Sequence, residues 1–147
     1  MSEYKIEISW KNKFEQLSYE NFSRDHLIRF SGEQSLTNSS APEYFGNKNA
    51  SNPEELLASA LASCHMLTFL AIASKSGYNI GSYDCLAIAK LDKNEEGKLS
   101  VTNIELKPCI EFRGDKFPSA EQLASMHEKA HRNCFIAQSL KTKVTIH

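Results

Sequence analysis

Four cysteines, Cys64, Cys85, Cys109 and Cys134, together with five histidines, are the side chains of this 147-residue sequence best suited to covalent or metal chemistry. A thiolate is both a strong nucleophile and a soft metal ligand, so the surroundings of each sulfur decide its use. Cys64 lies midway along an uncharged run and Cys134 on the apolar stripe of a later helical segment. Position alone favours a buried small hydrophobe at both. Cys85 and Cys109 fall on strand-like segments with no neighbouring histidine or arginine motif and read as core or edge residues. His127, His131 and Cys134 recur at i, i+4 and i+7, which puts them on one helical face, and Cys64 or His65 could complete a zinc site with them. No acidic base motif accompanies that set, and neither a metal nor a cofactor is expected. A glycine-rich phosphate loop, a Ser-His-Asp pattern and a dinucleotide fingerprint are likewise missing.

Two helices must position these sulfurs. Asn52-Pro53-Glu54-Glu55 is a helix start, with Asn as the cap, Pro at the first helical position and carboxylates facing the positive end of the dipole. From Leu56 to Ser74 the helix carries no formal charge if His65 is neutral, and Gly77 suits its C-terminus. The length approaches a membrane span. Ser59, Ser63, His65, Thr68 and Ser74 dilute it, so a buried core helix is expected, and no membrane. A helix apolar on all sides needs cover on all sides, and a second copy of the chain is the economical cover. Pro118-Ser119 opens a second helix, whose inward stripe is predicted to run Leu123, Met126, His127, Ala130, Cys134 and Ala137.

The remaining elements are strands. Tyr4, Ile6, Ile8 and Trp10 alternate with polar residues, the period of a strand with one buried face. Further strands are predicted over Glu15 to Asn21 and Asp25 to Phe30. Gly32 to Ser51 reads as a long Ser, Asn, Gly and Pro loop. Tyr83 to Leu91 and Leu99 to Phe112 form a predicted hairpin around Asp92 to Lys98, and a short strand surrounds Val144 and Ile146. The length fits one domain over residues 1–147. A net charge of −1 with both signs interspersed leaves no footprint for nucleic acid or an anionic membrane. The charged N-terminus lacks a secretory pattern, which points to the reducing cytoplasm, where structural disulfides are uncommon.

The segments NPEELLASALASCHMLTFL and HEKAHRNCFIAQS resemble the OsmC/Ohr family of osmotically inducible and organic hydroperoxide resistance proteins. The likeness rests on the Asn52-Pro53-Glu54 helix start with Cys64 in the same helix, and on Cys134 late in the chain. The residues that follow the two cysteines, His65-Met66-Leu67 and Phe135-Ile136-Ala137, resemble a less characterised OsmC-like branch rather than the family's best-characterised members. The resemblance implies an α+β fold with antiparallel sheets packed around a long buried central helix, in an intertwined homodimer. It also implies a peroxidatic Cys64, a resolving Cys134 and an Arg–Glu pair that activates the first.

A thiol in apolar surroundings has a raised pKa, and Cys64 is too deep in its helix to feel the N-terminal dipole, so a nearby cation would help. Ser23-Arg24-Asp25 best resembles the family's arginine segment, with Arg29 next. Glu54 matches the family's glutamate, but ten residues at about 1.5 Å each put it roughly 15 Å from its own Cys64. It would therefore come from a partner chain. The implied activity is reduction of organic hydroperoxides with a dithiol reductant, for which the resemblance suggests a lipoyl group. A non-catalytic thiol sensor or small-molecule binding module of the same fold is the alternative, and a zinc-stabilised interaction protein a third.

Overall fold

The computed structural model describes residues 1–147, which divide into two compact units, Met1–Leu56 and Leu57–His147. The first unit holds a three-stranded antiparallel sheet of β1 (Ile6–Ser9), β2 (His26–Phe30) and β3 (Ser35–Asn38). In its register Ile8 faces Ile28 and Leu27 faces Thr37. The predicted first strand is shorter than expected, and its alternating face is open: Ile6 is 52% and Ile8 62% exposed. The alternation thus marks an apolar face that the first unit leaves open. No strand forms over Glu15–Asn21. There Ser18 accepts the N–H groups of both Asn21 and Phe22, which curls the segment into turns.

The predicted loop 32–51 contains β3 and is tied down by polar contacts. Ser39 N–H donates to Ser51 O, Ser51 Oγ donates to Asn38 Oδ1 at 2.8 Å, and Ser39 Oγ accepts from Asn47 N at 3.0 Å. Asn38 and Ser39 are buried, and these bonds offset the cost of removing them from water. A 3-10 turn, Pro42–Tyr44, then brings the chain back so tightly that a Cβ at Gly46 would lie 1.6 Å from Ser40 O. Only glycine fits there.

Helix α1 (Pro53–Lys75) begins in the first unit and runs through the second. Asn52 Oδ1 accepts from Glu55 N at 2.9 Å, the predicted cap. At the other end Tyr78 N–H donates to Ala73 O and Gly77 N–H to Ser74 O, with Gly77 at φ 81°. This pairing satisfies the last carbonyls through a left-handed residue, for which glycine carries no Cβ penalty. One stripe of α1, Ala58, Leu61, His65, Phe69 and Ala73, is buried, whereas Leu67 on another face is 60% exposed. By length and composition α1 could cross a membrane. Its buried stripe, however, packs against sheet and helix residues of its own unit, as a core helix does.

Strands β4 (Asn79–Lys93) and β5 (Leu99–Arg113) pair antiparallel, and β6 (Lys143–Ile146) joins β5 in parallel. The expectation of antiparallel pairing thus fails at the last strand alone, because the helical return from β5 brings β6 back in the direction of β5. Both hairpin strands run longer than predicted. Helix α2 (Ala120–Asn133) starts with a capping box in which Ser119 and Gln122 satisfy each other's backbone N–H. It does not continue through Cys134 as expected. Cys134 takes extended angles, φ −75° and ψ 116°, and α3 (Phe135–Gln138) starts after it. Two apolar clusters result. Ala58 and Leu61 pack with Ile104, Leu106 and Cys134, and Phe69 and Ala73 with Met126 and Ala130.

Candidate active site

Cys64 and Cys134 are brought together by the crossing of α1 with the α2–α3 junction. Both belong to the cluster built on Ala58 and Leu61, and the two unpaired thiols are near enough to shift each other's acidity. Cys134 is fully buried and Cys64 half-buried. The break in the helix at Cys134 serves two ends. Its Sγ accepts from Ala137 N at 3.4 Å and so caps α3, and the N–H groups of Phe135 and Ile136 are turned toward the Cys64 sulfur. Thr68, one turn along α1, donates its hydroxyl to Cys64 O at 2.8 Å and is one of the groups that lower the Cys64 thiol.

These donors decide which sulfur ionises. Burial pushes the Cys64 thiol up, but hydrogen bonds from Cys134, from the Ile136 and Phe135 N–H groups and from Thr68 outweigh it and bring the thiol below its ordinary value. Cys134 moves the other way: burial raises it, and its hydrogen bond to Cys64 raises it further. The two thiols titrate as a coupled pair, with Cys64 shifted down and Cys134 shifted up. An anionic nucleophile beside a protonated thiol is the arrangement that dithiol chemistry needs.

Arg24 is committed within the first unit. Its guanidinium donates to Phe22 O and Tyr19 O, both at 2.6 Å, and lies 3.6 Å from the centre of the Phe22 ring, with Tyr19 and Phe45 also against it. Arg29 sits on β2 opposite Glu7 and Ser35. Glu54 occupies the first turn of α1. No charged side chain is among the groups that shift Cys64.

The histidines form a separate buried group. His65 Nε2 and His127 Nδ1 share a hydrogen bond of 3.0 Å, with the rings stacked at 5.3 Å, and His127 stacks on Phe69 at 4.4 Å. The Nδ1 atoms of His65 and His131 are buried without a hydrogen-bond partner. Burial, then the neighbouring His127 and His131, lowers His65 to about 4, and burial lowers His127 as well. No group of three or more His, Cys, Asp or Glu side chains has metal-holding geometry, since His127 faces His65 while Cys134 faces Cys64. A cavity of about 510 Å³ lies beside the histidines, between α2, β5 and β6, and is walled by Ile110, Phe112, Leu123 and Ile146. Neither cysteine lines it.

The spacing of Thr68, four residues after Cys64, was a readable sign that they share a face. The two backbone donors carried no such sign, because they depend on the helix ending at Cys134.

The fold and the paired sulfurs define an α+β protein with two three-stranded sheets, a long central helix and a pair of neighbouring thiols at that helix. Residues 46–147 match the family model of OsmC-like proteins, and the chain belongs to that family. It is 29% identical over 102 residues, 69% of this chain and 68% of the relative, to the peroxiredoxin OsmC of Escherichia coli (strain K12). An OsmC-like protein of unknown function from Vibrio cholerae is similar over 100% of this chain and 99% of its own, with 39% identity and a TM-score of 0.94. The organic hydroperoxide resistance protein OhrB of Bacillus subtilis shares the fold, with a TM-score of 0.71 and 16% identity over 99% of this chain and 97% of that one.

Proposed function

We propose that this chain, as one OsmC-like domain, is a thiol-dependent peroxidase that reduces organic hydroperoxides. The observation that carries the reading is the asymmetric pair, with Cys64 eased toward thiolate and Cys134 held protonated beside it. The Cys64 thiolate attacks the outer peroxide oxygen, the O–O bond breaks, and the departing alkoxide takes a proton to leave as an alcohol. The resulting Cys64 sulfenic acid condenses with the Cys134 thiol, releasing water and forming a disulfide. An external dithiol, such as a lipoyl group, then returns both sulfurs to thiols by exchange. The peroxiredoxin name of the Escherichia coli relative supports the same chemistry.

The working form is a homodimer. Ile6 and Ile8 on β1 and Leu67 on α1 are exposed in one chain, and a second copy is the economical cover for them. Arg24 and the partner's Glu54 stay the candidates that the family resemblance assigns to activating Cys64, although in one chain Arg24 is held by Phe22 O and Tyr19 O. The protein works in the cytoplasm, where its four unpaired cysteines would stay reduced.

Steady-state peroxide consumption with a dithiol separates this reading from a sensor, which oxidises once and stops. Mass spectrometry after one equivalent of alkyl hydroperoxide assigns the roles. Wild type should lose about two mass units as the disulfide closes, and Cys134→Ser should gain oxygen at Cys64. Cys64→Ser should consume nothing. Oxidation of the Cys134→Ser protein mainly at Cys85 or Cys109 would overturn the assignment.

A further inference from the structure

We propose that Thr68 is a positioning residue for the Cys64 thiolate, its hydroxyl swinging from the Cys64 carbonyl to the Cys64 sulfur when the thiol ionises. The inference rests on the reading of Cys64 as the nucleophile and adds a residue to that site. Three observations carry it. Thr68 stands one helical turn after Cys64, so both side chains lie on one face of α1. Its Oγ1 donates to Cys64 O at 2.8 Å. The same hydroxyl is one of the groups that lower the Cys64 thiol.

A hydroxyl has one proton and can satisfy one of those acceptors at a time. With a neutral thiol the carbonyl is the better acceptor. Once Cys64 gives its proton to solvent, the sulfur is anionic, and a charge-assisted bond outweighs the neutral one. Only rotation about the Cβ–Oγ1 bond is required, and no bond to carbon, oxygen or sulfur breaks. Cys64 O is not orphaned, because in helix geometry it still accepts the backbone N–H of Thr68.

The groups around the sulfur leave this donor a real share. Cys134 is the one titratable side chain that faces Cys64 from the α2–α3 junction, and it keeps its proton. His65, next to Cys64 on α1, is bonded to His127 instead. The remaining donors are the backbone amides of Phe135 and Ile136, which no side-chain substitution removes.

The test is the pH profile of Cys64 alkylation by iodoacetamide, followed by mass spectrometry at Cys64 in the full-length reduced protein. Thr68→Val keeps the shape and removes the hydroxyl. It should raise the apparent pKa by about one unit, a roughly tenfold loss of thiolate at neutral pH. Thr68→Ser restores the hydroxyl and should return the profile to that of wild type. Far-ultraviolet circular dichroism and thermal melting establish that both variants fold. A Thr68→Val profile superimposable on wild type, or a Thr68→Ser profile as shifted as that of Thr68→Val, would overturn the proposal. Because alkylation needs no peroxide, failure of peroxide reduction at Cys64 would sink the peroxidase reading and leave this result standing.

Discussion

Acidification should destabilise this protein through His65, and the effect can be worked out from its surroundings. The ring is 1% exposed, stacked on His127, and carries a buried Nδ1 without a partner. Burial first, and then His127 and His131, holds its pKa at about 4, against 6.5 for an ordinary histidine. The unfolded chain therefore takes up a proton here below pH 6.5, whereas the folded chain refuses it until about pH 4. Stability is intact above pH 6.5, falls across the window down to about 4, and then levels off. At about 1.4 kcal/mol per pH unit for one proton, the loss is roughly 3 kcal/mol. That is a large part of the ~5–15 kcal/mol typical of a whole domain. Lowering of His127 adds in the same direction.

Urea unfolding at fixed protein concentration, at pH 7, 6, 5 and 4, measures it. His65→Gln cannot take the proton, so comparing how each protein's stability changes with pH cancels any baseline cost of the substitution. Wild type should lose about 3 kcal/mol more than His65→Gln between pH 7 and 4. Equal losses would show that folded His65 takes up its proton at the same pH as in the unfolded chain, and the account of its burial would be refuted.

Light scattering at micromolar concentration should report a dimer, and a monomer would leave the exposed face of β1 without its cover. Arg24→Ala should slow alkylation of Cys64 at neutral pH if Arg24 completes the site. An unchanged rate would leave the thiolate to Thr68, Cys134 and the two backbone amides. Gly77→Ala places a Cβ at φ 81°, in ordinary contact with Lys116 Nζ at 3.5 Å but on a strained backbone. The cost should be about 1–2 kcal/mol, read as a fall in melting temperature.

The start and end of α1 were fixed by Asn52-Pro53 and Gly77, and the start of α2 by Ser119 with Gln122, because capping is local chemistry between residues a few positions apart. The hairpin and the final strand were readable from alternation, and the family from the Asn-Pro-Glu start with its two cysteines. What the sequence could not show depends on contacts between distant segments. The alternation of Ile6 and Ile8 marked an apolar face but not what lies on it. The stripe through His127, Ala130 and Cys134 predicted one continuous helix, yet the chain breaks at Cys134, whose sulfur caps α3 and meets Cys64 across 70 residues. Likewise, i and i+4 spacing put His127 and His131 on a common face with Cys134, and only packing sent His127 to His65 and Cys134 to Cys64. Periodicity says which residues face inward, but the partner each one meets is set by how the elements cross. That crossing turns two ordinary buried cysteines into a pair with unequal acidity.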